Sequence, residues 1–379
     1  MNSISKLTVA AKALVGFAVL GLVFGCASGP QKPKPVDLPP VADLLKVRLA
    51  WSIKSAPSDF PLNVQVVGNT ATVAGSDGSV MSIDTETGAE LWRAALGSPI
   101  LAGVGSDGRV AAVLTRGNEL VAMEGGKETW RQKMTAPSFT SPLVAGGRVF
   151  LLGADRSVNA FDAQSGRKLW GVQRPGEPLV LRQAGVLLAV GDTLLAGLSG
   201  RLVGINPLNG AVLWESPIAV SRGINDIERL VDLVGRVSRD GGVVCARAFQ
   251  AAVGCVNAER GSLLWTRPAN GFVGVHGDGK YVFGAESDGK MLAWRQADGE
   301  RVWQSERLQY RNLTAPLVVG RSVAVGDEAG NLHLMSREDG ALLTRLATDG
   351  SAIIAAPVLA GQTLIVVTRN GGIFGFKPE

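Results

Sequence analysis

Any chemistry in this chain would have to come from few residues. Cysteine occurs three times, at Cys26, Cys245 and Cys255, and histidine twice, at His276 and His333. A metal centre needs three or four such ligands at close spacing. The two histidines stand apart, with no cluster of cysteine and carboxylate around them. No Gly-x-Ser-x-Gly phrase presents a serine nucleophile, and no glycine-rich loop ends in the lysine that grips a phosphate. The chain therefore reads as non-enzymatic, with no metal and no cofactor, and its many aspartates before glycine read as turn residues. Cys245 and Cys255 do suggest one reaction. They flank a hairpin centred near Gln250, and symmetric pairing sets them opposite each other, with Cα atoms about 4.5 Å apart if the pair is not hydrogen-bonded, inside disulfide reach. In an exported protein a bridge is expected rather than two buried free thiols. Closing so short a loop stabilises by about 2 to 3 kcal/mol.

The amino terminus argues for export. Residues 1–25 carry Lys6 and Lys12 and then an uncharged apolar run from Ala13 to Phe24, the layout of a signal peptide and too short for a comfortable membrane span. The run ends Val23-Phe24-Gly25-Cys26, which resembles a bacterial lipobox with Phe24 as an unusual occupant. In such leaders the cysteine thiol is acylated and becomes the first mature residue; the competing reading is an ordinary secretory leader with a chance cysteine. Ala27 and Ser28 put no aspartate beside Cys26, and resemblance to such lipoproteins then implies the periplasmic face of the outer membrane. Several acyl chains, at about 0.8 kcal/mol per buried CH₂, make a stable anchor. Five prolines between Pro30 and Pro40, with Lys32 and Lys34 among them, predict an extended spacer that does not pack. The expected layout is a signal peptide at 1–25, a lipidated cysteine and tether at 26–44, and one folded body at 45–379. The net charge of +5 falls further when the leader is removed, and is too mild and dispersed to argue for nucleic acid.

The elements that must position these residues are announced by tryptophan. All eight tryptophans but Trp294 fall on a ladder at Trp51, Trp92, Trp130, Trp170, Trp214, Trp265 and Trp303, with steps near 40 residues, the mark of a repeated supersecondary unit. One further step reaches Thr344, where Gly340 to Leu343 keep the local pattern and the tryptophan is missing. In Gly88 to Trp92, Gly166 to Trp170, Gly210 to Trp214, Gly261 to Trp265 and Gly299 to Trp303 a glycine opens the phrase that the tryptophan closes, as suits a turn with positive φ. Asp77-Gly78, Gly117-Asn118, Asp288-Gly289, Gly330-Asn331 and Asn370-Gly371 separate apolar runs as hairpin turns do. Four strands per unit predict an all-β fold, an eight-bladed β-propeller of four-stranded antiparallel blades. The last unit supplies only three strands, and Val47 to Ile53 is a fourth strand without predecessors. The amino-terminal strand is therefore expected to complete the last blade and close the ring, which removes open sheet edges. The tryptophans are expected to be packing residues, each worth about 3 to 5 kcal/mol against alanine when buried.

Irregular places carry the functional signal. The longest steps, Trp170 to Trp214 and Trp214 to Trp265, contain Glu177 to Arg182 and Gly223 to Arg236. In the second, Asp226, Glu228, Arg229 and Asp232 alternate with Ile227, Leu230, Val231 and Leu233. Solvated connections between blades, with one helical turn, are the plain reading, yet loops on a rigid scaffold are where binding resides. With these loops the chain resembles the BamB family, propeller lipoproteins of the outer-membrane β-barrel assembly (BAM) machine, over the lipobox, the tether and all eight blades. In that family a Leu-x-Leu-Arg segment and an Arg-Leu-x-Asp loop of the next blade form one surface that binds BamA through its periplasmic POTRA repeats. Leu179, Leu181 and Arg182 match the first, and Arg229, Leu230 and Asp232 the second; Val234 departs from the pattern, where better-known members carry another aspartate. The resemblance implies a scaffold for β-barrel folding and insertion, with BamA as partner and nascent outer-membrane proteins as a further partner class.

Two alternatives stand beside it. The phrase Asp84 to Trp92 resembles the repeat of pyrroloquinoline-quinone dehydrogenases, eight-bladed rings that hold the quinone against an adjacent-cysteine disulfide, with calcium and a catalytic aspartate. Here no two cysteines are adjacent and the blades have no room for substrate-binding insertions, so neither quinone nor calcium is expected. The other alternative is a periplasmic propeller that takes a sugar or peptide in its central channel.

Overall fold

The computed structural model describes residues 33–41, 43–60, 62–175, 179–221, 224–226 and 229–379. The signal peptide and Cys26 lie outside these residues, as do Glu177, Pro178, Gly223, Ile227 and Glu228 in the two long loops. Residues 33–35, the described part of a first unit, are exposed and without regular structure, and residues 36–379 form the second unit.

Alternating apolar runs separated by left-handed turns fold here as eight four-stranded antiparallel sheets. Blades 1 to 7 span residues 65–95, 100–133, 143–173, 187–217, 233–268, 275–305 and 317–347, and blade 8 combines residues 358–378 with the strand Val47–Lys54. The described residues include no helix, and in the second loop Arg229 N donates to Asn225 O at 3.3 Å, the bond of one helical turn. Middle strands are buried on both faces, as in Val110–Thr115, while outer strands such as Lys127–Lys133 are largely exposed. Apolar residues at both parities follow from this, because each middle strand is covered by a blade on either side.

The ring closes as expected. Val47–Lys54 pairs antiparallel with Gly372–Pro378, with Val47 opposite Pro378 and Lys54 opposite Gly372. Trp51 adds a second closure, since its indole N–H donates to the Thr85 carbonyl of blade 1 at 3.0 Å.

The same joint recurs round the ring. Trp130 donates to Ala163 O at 2.8 Å, Trp170 to Pro207 O at 3.0 Å and Trp303 to Arg337 O at 2.9 Å, each in the next blade. Every ring also lies on the glycine that opens the next blade's phrase. A Cβ on Gly88 or Gly166 would stand 2.6 Å from Trp51 or Trp130, and both glycines have positive φ, 75° and 70°. Those glycines are thus required twice, for a left-handed turn and for a flat seat under the neighbouring indole. Trp294, off the ladder, instead lies inside blade 6 beneath the wholly buried Arg247, whose guanidinium carbon is 5.9 Å from the ring centre.

Thr344 shows why one tryptophan is missing. No hairpin turn is available for it to rest on, because the third and fourth strands of blade 8, Gly372–Pro378 and Val47–Lys54, are not consecutive in sequence. In its place Thr344 Oγ1 donates to Asp43 at 2.8 Å and Leu44 N to Leu343 O at 3.0 Å. This corrects part of the tether reading, because packing of the proline-rich segment begins at Val36. Val36 N donates to Gln309 O at 3.2 Å, Arg345 donates to Pro39 O at 3.0 Å, and Leu38 packs on the core of blades 6 and 7. The physical reason is that extended, proline-rich backbone keeps its carbonyls free of internal bonds, and arginines on the blade supply the donors.

Candidate functional site

The two long loops meet. Residues 179–186 lead into blade 4, and residues 229–232 lead into blade 5. They line one small cleft of about 50 Å³ whose walls include Arg156, Leu181, Gln183, Asp232 and Val234. Of the residues singled out in the sequence, Leu179 and Arg182 are exposed, while Leu181, Arg229 and Leu230 are half-buried. Among the described residues Arg182 makes no side-chain hydrogen bond or ion pair, and it is exposed.

Asp232 has a different place from the one expected of a partner contact. One carboxylate oxygen accepts from Arg156 at 3.0 Å, and the other accepts from the Leu181 backbone N–H at 3.1 Å. Arg156 also donates to Leu179 O at 3.0 Å. The Arg156 side chain is only 8% exposed. A blade 3 arginine therefore joins an aspartate at the entry to blade 5, and both hold the backbone of the loop between blades 3 and 4. Asp232 works inward, as a staple that sets Leu179 and Arg182 at the surface. Below it Gly235 N donates to Ala184 O at 2.8 Å, and Gly185 N donates to Thr140 Oγ1 at 2.9 Å. Val234 is buried and bridged to Gly185, so an acidic side chain at that position would face the core.

Arg156 escaped the sequence reading, although a signal was present. In the hairpin turns of blades 1 and 6 aspartate is followed by glycine, at Gly78 and Gly289, with φ of 93° and 82°. Blade 3 has Asp155-Arg156 in that register, and Arg156 adopts φ of 62°. A non-glycine residue there is strained by about 1 to 2 kcal/mol, and its retention points to a task for the side chain. Val220 and Ile224 were also missed. They are 62% and 95% exposed beside the second loop and extend its apolar surface.

Cys245 and Cys255 lie in blade 5, directly after that loop. They face each other in register on neighbouring strands, wholly buried, with Cα atoms 3.9 Å apart and their sulfurs joined. Neither histidine is in a ligand cluster. His276 Nδ1 accepts from Val318 N at 3.1 Å, and His333 lies against the buried Asp327 at 3.0 Å. Burial lowers the pKa of both, against the pull of Asp327 in the case of His333.

Residues 76–305 match the family model described as outer membrane protein assembly factor BamB. Two similar proteins carry that description. The one from Burkholderia pseudomallei is 37% identical, with 96% of this chain and 97% of the relative covered. The one from Bordetella pertussis is 34% identical, with 92% of each covered. Among solved structures, BamB from Moraxella catarrhalis superposes with a TM-score of 0.79 at 22% identity, over 87% of this chain and 99% of that one, a likeness of fold. The ladder, the closed ring and the paired loops thus agree with a match along nearly the whole length, and the chain belongs to the family of outer membrane protein assembly factor BamB.

Proposed function

We propose that this chain is a non-enzymatic scaffold of the BAM machine, which binds the POTRA repeats of BamA through residues 179–182 and 229–232 and so supports folding and insertion of β-barrel proteins. The observation that carries the reading is the Arg156–Asp232 staple. It spends a buried ion pair on fixing two surface loops that no blade needs for closure. What it presents is an apolar anchor, Leu179, beside an exposed cation, Arg182, with Arg229 and Leu230 alongside. An arginine next to a hydrophobic anchor is a common interface hot spot, where truncation costs about 2 kcal/mol or more. On this reading Asp232 acts by positioning the loops. Acylation of Cys26 would hold the protein at the periplasmic face of the outer membrane, with nascent barrels within reach.

The test is affinity purification from detergent-solubilised membranes. Arg182→Glu, and Leu179→Ala with Leu181→Ala, are each expected to lower BamA recovery by at least about tenfold while circular dichroism and Tm stay near wild type. Full recovery of BamA by both folded variants would sink the assignment. Cys26→Ala is expected to move the protein to the soluble periplasmic fraction, and persistence in the membrane would argue against the anchor.

A further inference from the structure

The central channel of the ring is a second place where charge and shape converge. It encloses a cavity of about 400 Å³, within the range of small-ligand sites. Most of its wall is apolar, with Leu62, Val64, Val237 and Ile354 among the contributors, and among the described residues the one charged side chain on it is Arg236. Among the described residues no aspartate, glutamate or lysine lines it.

Arg236 enters this space from the first strand of blade 5. Its Nη1 donates to the Pro357 carbonyl of blade 8 at 2.6 Å, so the side chain reaches three places round the ring. That is the only hydrogen bond it makes among the described residues, and a guanidinium has five N–H donors. No carboxylate lies in ion-pair range of it among those residues. His276 beside it does not alter the balance. Burial first, and then the Arg236 charge, push its pKa down to about 3, so the imidazole is neutral, and its Nδ1 is already engaged by Val318 N. The wall also contains the Ser141 hydroxyl, which is buried and has no partner among the described residues. Nη1 alone serves the strut to Pro357, and the other N–H groups of the guanidinium have no protein partner among the described residues. A half-buried cation on an apolar wall with no carboxylate beside it is costly, and a counterion relieves that cost.

We infer that the channel is a binding site for a small monocarboxylate with an apolar body, its carboxylate paired with Arg236 and its body against the apolar wall. A carboxylate fits the planar guanidinium fork in a bidentate manner, and one negative charge matches the one positive charge available. A phosphate dianion would bring a second charge that nothing on the wall neutralises. Although burial lowers the Arg236 pKa to about 10, the group remains protonated at neutral pH, so the pairing persists there. The inference stands apart from BamA binding, since the channel needs no partner to be complete.

The test uses the purified mature chain without BamA, titrated by calorimetry with hexanoate, hexan-1-ol and hexylammonium. Hexanoate is expected to bind saturably at one site, hexanol at least about tenfold more weakly, and hexylammonium not at all. Arg236→Met is expected to weaken hexanoate by at least about tenfold. Should that variant fail to fold, Ile354→Trp narrows the channel and leaves Arg236 in place, and is expected to abolish the same binding. Absence of saturable hexanoate binding up to about 10 mM, equal binding of hexanol, or unchanged affinity in either folded variant would overturn the proposal.

Discussion

Two joints hold parts of this molecule together in opposite ways. Trp130 reaches from blade 2 to blade 3, lies on Gly166 and donates to Ala163 O. Arg156 reaches from blade 3 to the entry of blade 5, in a charged contact with Asp232. The first joint is neutral, mostly apolar and repeated round the ring. The second is ionic, buried and tied to one pair of loops. A joint repeated from blade to blade can only build the ring, whereas one used in a single place can set a surface. The cost structure differs too. Losing an indole leaves a cavity, whereas losing one member of a buried ion pair leaves a stranded charge.

The sharpest way to break this contrast is Trp130→Ala. It is expected to cost about 3 to 5 kcal/mol and to lower the Tm of the whole ring cooperatively, as read by calorimetry. A loss below about 1 kcal/mol would mean that the joint is ornamental. Asp232→Ala is expected to cost about 3 kcal/mol, because it strands the Arg156 charge, but with the opening confined to the two loops. Hydrogen exchange should rise at the Leu181 amide and stay unchanged in blades 1 and 7; a global rise would make Asp232 another ring joint. Reduction of the Cys245–Cys255 bridge should remove about 2 to 3 kcal/mol, and non-reducing mass analysis of periplasmic material should find no free thiol at either residue. Two free thiols there would remove the bridge from the account.

Leu179→Ala is expected to leave stability within about 0.5 kcal/mol of wild type, since the side chain is 42% exposed, while it weakens BamA recovery. The smallest effect concerns turns. Asp84 is held below the ordinary aspartate pKa first by the Thr87 hydroxyl, and Asp162 first by the Ser165 backbone N–H. Both folded pKa values are depressed, so the stabilisation is complete above the unfolded value and is lost as pH falls through the folded one. Asp84→Asn with Asp162→Asn should therefore flatten the decline of Tm below about pH 4, and an unchanged acid slope would show these turns to be neutral.

The contrast also marks what the sequence could disclose. The blades, their number and the closing strand were legible because a repeat prints the same residues at a fixed step, and Gly88 and Trp92 needed only to be compared with Gly166 and Trp170. The loops were legible as departures from that step. The staple was not, because its partners lie 76 residues apart and neither has a counterpart in another blade; only Arg156 in a glycine's register hinted at it. Assigning Asp232 to a partner contact followed from its place in a motif, and motif position does not say which way a side chain points. Arg236 was invisible for a similar reason, since a lone arginine in a strand gains meaning only when the wall around it proves to hold no acid. The docked segment after Val36 was hidden by its prolines, which forbid regular structure but leave carbonyls for Arg345 to find.

The pairing of Val47–Lys54 with Gly372–Pro378 also orders events in time. The first strand of the folded body to leave the ribosome is among the last to find its place. Seven blades can form as the chain emerges, each stacking on the one before, yet Val47–Lys54 has no strand to pair with until Gly372–Pro378 arrives. During that interval both ends of the arc present uncovered apolar sheet faces. Loss of Val47–Lys54 or of Gly372–Pro378 should consequently act far from the cut, leaving an open arc whose two faces, on blades 1 and 7, are free to meet another chain.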